Sequence, residues 1–380
     1  MTSQSSPMEI DNDRDSDFKN MLKKIHHLSI NDDAPSPSSK DEGRETARST
    51  QLFKMIGDGG CSAVFAQEGG SLAVKISKKS RFGQWNDYVM HTLIYEEIKH
   101  HRADVMVPRC YFFVPAEDRV FFEKNQALVK AARNICDIPT DILVSERIPP
   151  LEEETRAALI NEYCAPRLRL RALADPKNND CLVKVYLGST EGRIGETPFS
   201  LRNLELHLNQ MIHMGLDVDL MASQVGQALA VVHWAAGVDA WGVQFFLGGS
   251  SKPSLPSYLE IEEIEPSTYT GPKSRIIKHF FCGRTVLWML NFDQVQPITM
   301  DHAGVSRAVD AAVFGGIYLP KRYSRNPAEK SVWDRFREQY IDTSNLILQY
   351  EDKKTQQLPH NFLDQISRLE LRKKGAWSRD

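Results

Sequence analysis

The feature that most constrains this chain is the run His233-Trp234-Ala235-Ala236-Gly237-Val238-Asp239-Ala240-Trp241-Gly242-Val243-Gln244-Phe245-Phe246-Leu247-Gly248, which a helical pattern enters and an apolar strand leaves. An acid five residues before an amide, on a glycine-bearing loop between helix and strand, sets two polar side chains at the end of a sheet rather than inside a core. Thr285 to Leu290 is a second apolar strand, and it ends in Asn291-Phe292-Asp293. Far upstream, Gly57-Asp58-Gly59-Gly60-Cys61 is a glycine turn between strands, Leu72-Ala73-Val74-Lys75-Ile76 is a strand with one lysine, and residues 84–101 carry an apolar stripe of helical period.

Glycine loop, strand lysine, acid-to-amide loop and a three-residue turn after a strand follow one another in the order of a protein kinase. The order predicts an α+β, protein-kinase-like two-lobed fold with a small β-rich N-lobe and a mainly helical C-lobe. Residues 1–48, dominated by Asp, Ser and Pro, cannot bury enough apolar area to offset chain entropy and are expected to form a disordered leader. Within it Phe18, Met21, Leu22 and Ile25 fall at helical spacing. The N-lobe is expected over 49–148, with strands at 105–114 and 141–146, and Pro149-Pro150 marks the connector between lobes. The C-lobe is expected over 149–380, with helices at 153–163, 201–214, 220–234, 331–349 and 361–374 and an exposed insertion over 248–271.

Composition narrows the partners. Hydrophobic residues make up 41% of 380 residues, enough for a sizeable core, while a net charge of −3 gives no global attraction to nucleic acid and points away from DNA. Arg167, Arg169 and Arg171, then Lys273, Arg275, Lys278 and Arg284, then Lys321, Arg322 and Arg325, then Arg372, Lys373 and Lys374 form local basic clusters, each of which alone reads as a solvated face. The six cysteines are scattered singly, without zinc-ligand spacing, so no zinc finger and no metal site is expected. No apolar run reaches membrane-spanning length, and a cytoplasmic protein with reduced thiols is the expectation.

The kinase order comes without the kinase ligands. Gln244 stands where the loop asparagine of a kinase holds metal, and Asn291 stands where the turn aspartate does. Asp239 remains, Asp293 carries a charge two residues later, and Glu97 or its neighbour Glu96 is the expected helix partner of Lys75. Three readings follow: an enzyme acting on activated acyl groups, a small-molecule phosphotransferase, or a catalytically dead pseudokinase that binds a partner. No serine or cysteine stands out as a nucleophile beside a base, and Cys61 in the glycine loop is the remote candidate.

Asn161-Glu162-Tyr163-Cys164, Val185-Tyr186-Leu187-Gly188, Val238 to Gly248 and Leu287-Trp288-Met289-Leu290-Asn291-Phe292-Asp293-Gln294 occur in that order. With these motifs the chain, from about Leu143 to Tyr350, resembles a fungal domain family long catalogued as a zinc-finger family of unknown function. It also resembles the fungal arginine-containing cyclodipeptide synthases. That resemblance implies an aminoacyltransferase of secondary metabolism. It would join arginine from arginyl-tRNA to a second aminoacyl-tRNA and close an arginine-containing diketopiperazine, with no cofactor. Asp239 would be the ammonium anchor or base, Gln244 and Asn291 hydrogen-bond donors to the carbonyl, and Asp293 or Glu97 the carboxylate for the guanidinium, with Lys75 beside them. The family pattern has an acid at position 244 and Asp-Phe-Asn at 291–293, so this chain departs from it at both.

Overall fold

The structure is a computed structural model, and it describes residues 52–79, 82–193, 199–250, 285–315, 318–323 and 326–377. The expected disordered leader and nearly all of the expected insertion lie outside these residues. Gly248 and Gly249, placed in that insertion from the sequence, instead finish a strand.

The N-lobe begins as a meander, β1 (Phe53–Asp58), β2 (Ser62–Gln67) and β3 (Leu72–Ser77), and Gly69 takes the left-handed conformation that its turn requires (φ 67°). Next come α1 (Phe82–His100), β4 (Cys110–Val114), α2 (Arg119–Lys124), α3 (Gln126–Ala132) and β5 (Ile142–Glu146). The strands form one antiparallel sheet in the order β1-β2-β3-β5-β4. Strand alternation sends Val74 and Ile76 to the face shared by Phe65, Ile142, Val144 and Leu128. Burial of each such side chain contributes about 1.5–3 kcal/mol. The same alternation turns Lys75 to the opposite face, towards α1.

The C-lobe runs α4 (Glu153–Tyr163), α5 (Arg169–Ala174), β6 (Val183–Tyr186), β7 (Glu205–His207), α6 (Leu208–His213), α7 (Val218–Ala230), β8 (Gln244–Gly249) and β9 (Thr285–Leu290). It closes with α8 (His302–Gly315), α9 (Pro327–Ile347), α10 (Lys353–Gln356) and α11 (Leu358–Trp377). A four-stranded sheet in the order β7-β6-β8-β9, parallel only between β6 and β7, lies at the top of this lobe. The helix expected over 201–214 is broken. Residues 205–207 pair with the open edge of β6, in register Lys184 to Glu205, and the helix starts only after His207 caps it. Helices α7 and α9 pack closely at Gly226, where a Cβ would stand 2.5 Å from the Phe336 carbonyl oxygen. Behind them His233, on a π-helical turn that continues α7, lies 3.0 Å from the Tyr340 hydroxyl and 4.7 Å, ring to ring, from Phe362.

The lobes are tied through the backbone. The strand expected over 105–114 divides: only Cys110–Val114 joins the N-lobe sheet, while Met106 bridges to β9, donating to Leu287 and accepting from Met289 at 2.9 and 2.8 Å. Arg202 of the C-lobe donates to the Met55 carbonyl of β1 at 2.8 Å. The result is the two-lobed, protein-kinase-like α+β arrangement expected, with a β-rich N-terminal lobe on a helical C-terminal one. Among the described residues no helix is long and apolar enough to cross a membrane.

Candidate functional site

The site forms where β3 and α1 of the N-lobe face the loop before β8 and the turn after β9. That loop is wound tightly by three left-handed residues, Gly237 (φ 68°), Ala240 (φ 59°) and Gly242 (φ 77°). Glycine takes such angles freely, but Ala240 is strained there by roughly 1–2 kcal/mol. The strain is held by Asp239, whose Oδ1 accepts the backbone N–H of Trp241 and of Gln296, both at 3.0 Å. Its Oδ2 faces Arg307 of α8 at 3.6 Å. Burial pushes the Asp239 carboxyl up from the usual carboxylate range, against the two N–H groups and Arg307, which pull it down. A carboxylate raised in this way is a better base than a solvated one.

Gln244 opens β8 and Asn291 follows β9, and these strands pair so that Gln244 stands opposite Leu290. The Asn291 side chain, on a left-handed residue (φ 67°), donates to the Gln244 side-chain carbonyl at 3.1 Å. The two positions that hold metal in a kinase therefore hold each other, as neutral amides.

Lys75 is paired, and not with Glu97 or Glu96. Its ammonium lies 2.6 Å from Asp87, nearly three turns earlier on α1, while Glu97 stands 3.6 Å from His101 at the far end of the helix. Ten residues of helix carry Glu97 about 15 Å beyond Asp87, out of reach of the cleft. Glu97 is thereby withdrawn from the expected site. Burial alone would lower the Lys75 pKa, but Asp87 and Asp293 together outweigh it and raise it, which keeps the ammonium charged. The other Asp87 oxygen accepts the Phe292 N–H at 3.2 Å, and the neighbouring Asn86 donates to the carbonyls of Asp293 and Val295, both at 2.9 Å. Helix α1 thus grips the turn that displays Asn291 and Asp293. Asp87 was legible in principle: it shares a helical face with Met90, Ile94 and Ile98, all buried. A carboxylate on an apolar face requires a cation, and Lys75 supplies it.

Gln244 and Asn291 are thus brought together, and Lys75 and Asp293 meet on the N-lobe side, while Asp239 is held by Trp241, Gln296 and Arg307 on the loop that leads into Gln244. Cys61 is exposed on the glycine turn. Trp288 and Trp333 are core residues, whereas Trp241 is partly exposed and donates to the Gln294 side chain at 3.1 Å.

A protein family described as zinc finger protein matches residues 287–352. No curated protein matches the chain. The match overturns the resemblance to cyclodipeptide synthases stated from the motifs, since the family it identifies is a different one. The matched segment is β9, the Asn291 turn, α8 and α9. It contains no cysteine and one histidine, His302, which cannot make a zinc centre. Among the described residues no group of three or more His, Cys, Asp or Glu side chains could hold a metal ion. The matched segment and the described residues do not fit zinc.

Proposed function

We propose that the cleft performs acyl transfer between two aminoacyl-tRNAs in the cytoplasm, joining arginine to a second aminoacyl group and closing a diketopiperazine. The observation that carries this reading is the amide pair Gln244–Asn291, with the buried carboxyl of Asp239 on the loop that leads into Gln244. Phosphoryl transfer of the kinase kind needs the anionic metal ligand that the turn aspartate supplies, and Asn291 is neutral there. An aminoacyl ester is already activated and needs a positioned amine, donors to the carbonyl oxygen and a place for one proton.

In the first step Asp239 takes a proton from the α-ammonium of one aminoacyl ester. The freed amine attacks the ester carbonyl of the other, its oxygen held by the Gln244 and Asn291 amides. As the ester C–O bond breaks, the attacking nitrogen gives its second proton to the leaving ribose oxygen, and Asp239 returns the first to solvent. The new dipeptidyl ester then repeats the attack with its own amine, closing the ring and releasing the second tRNA. Asp293, which faces Lys75, would accept the guanidinium fork in this reading.

Purified protein supplied with arginine, a mixture of the other amino acids, tRNA and the charging enzymes should yield an arginine diketopiperazine that RNase abolishes. Asp239→Asn keeps both backbone acceptor roles and should lower the yield by about 10²-fold or more. Product that survives RNase, or an unimpaired Asp239→Asn protein, would sink the reading. The intact Lys75–Asp87 pair favours a second reading, a nucleotide-binding pseudokinase. It predicts a thermal shift with Mg-ATP that Lys75→Met removes and no diketopiperazine.

A further inference from the structure

Strands β6 and β8 pair only at Val183 with Leu247 and Lys184 with Phe246. Continued in register, Tyr186 would face Gln244. The pairing stops instead, and a cavity of about 50 Å³ opens between Lys184, Tyr186, Gln244, Phe245 and Tyr318. At about 10–15 Å³ for each water, it has room for three or four heavy atoms.

Its polar lining is made of donors. Tyr318 is 3% exposed, and among the described residues its hydroxyl has no hydrogen-bond partner. The Lys184 ammonium has no acidic partner within ion-pair distance among them either, and Glu205, opposite it in register, accepts from the Tyr186 hydroxyl at 2.8 Å. The Gln244 carbonyl is occupied by Asn291, which leaves its NH₂ as the group to offer. The ring of Tyr318 is buried while its hydroxyl stays accessible at the cavity, where water or a ligand supplies the partner. Asp239, near enough to Tyr318 to raise its pKa further, opposes an anion in the cavity, but Lys184 and Arg307 set two cations against it.

We infer that this cavity is a carboxylate-binding subsite, with Tyr318, Lys184 and the Gln244 amide as its donors. Its place against Gln244 assigns it to the side chain of the second aminoacyl group, which is then acidic, aspartyl or glutamyl. That assignment of the occupant rests on the acyl-transfer reading, whereas the affinity for carboxylate does not.

The test compares thermal unfolding of the full chain in acetate, in acetamide and in chloride at matched ionic strength, for wild type, Tyr318→Phe and Lys184→Met. Acetate should stabilise the wild type beyond chloride and acetamide. The acetate concentration needed should rise about tenfold in either variant, the size of one hydrogen bond to a charged group. Tyr318→Phe removes one oxygen and keeps the ring against Phe245, and circular dichroism checks that both variants fold. An acetate response equal in all three proteins, or matched by acetamide, overturns the subsite. In the reconstituted reaction the product should be arginyl-aspartyl or arginyl-glutamyl, and Lys184→Met should shift it towards neutral residues. Acetate binding without product would fell the acyl-transfer reading and leave the subsite. Product formation with an acetate response indifferent to Tyr318 and Lys184 would do the reverse.

Discussion

Acid should loosen this protein through His233. The imidazole is 1% exposed, bonded to Tyr340 and packed on Phe362, and burial lowers its pKa to about 3. In an unfolded chain histidine titrates near 6.5. With the folded value below the unfolded one, the unfolded state takes up the proton first. The stabilisation is therefore complete above about pH 6.5 and drains away as pH falls towards 3. Those two constants give a loss of about 2 kcal/mol between pH 7 and pH 5, rising to about 4 kcal/mol near pH 3. The perturbation is His233→Gln, which does not titrate and still offers Tyr340 a polar partner. Urea unfolding at pH 7 and pH 5 should show the wild type losing about 2 kcal/mol more than the variant. His91, also buried with a lowered pKa, titrates alike in both proteins and cancels in the difference. Equal losses in the two would refute the reasoning. On the acyl-transfer reading, activity should fade over the same range, because the turn bearing His233 leads directly into the loop of Asp239.

Three further outcomes are expected. Asp87→Ala strands the Lys75 ammonium and the Phe292 N–H, so denaturant unfolding should show a loss of about 3–5 kcal/mol, while the apolar double replacement Lys75→Met with Asp87→Leu should lose much less. Gly226→Ala drives a methyl into the Phe336 carbonyl and should cost about 1–3 kcal/mol by calorimetry, whereas Gly60→Ala, with open space around it, should leave the melting temperature nearly unchanged. Prolonged chelation with EDTA should not move the melting temperature, and a drop of several degrees would show that a metal is part of the fold after all.

Strand and turn chemistry made the first three strands and Lys75 readable, since Gly57 to Ile76 alternates and turns as a meander must. Helices α4, α7, α9 and α11 were readable from their apolar period and begin or end within a few residues of the expected positions. What escaped was set by distant pairing. Residues 205–207 look helical alone and become a strand only because β6 presents an edge, and Met106 leaves its own sheet for β9. The same holds for the site. Asp239, Gln244 and Asn291 could be placed because chain order fixes a loop and a hairpin, but the choice of Asp87 over Glu97 depends on which end of α1 approaches β3. Arg307 and Tyr318 come from a helix and turn with no motif to mark them, and only the fold brings them to Asp239.

The bridge of Met106 to β9, together with the grip of Asn86 on the Asn291 turn, bears on turnover. A two-lobed enzyme whose lobes swing must spend part of each cycle opening and shutting, and release of product often waits on that motion. Here the upper lobe is laced to the lower by main-chain hydrogen bonds at the back of the cleft, so swinging would first break a strand. On the acyl-transfer reading proposed above, long substrates would thread between lobes that part little, and the pace of the cycle would fall to how quickly each spent end slides out.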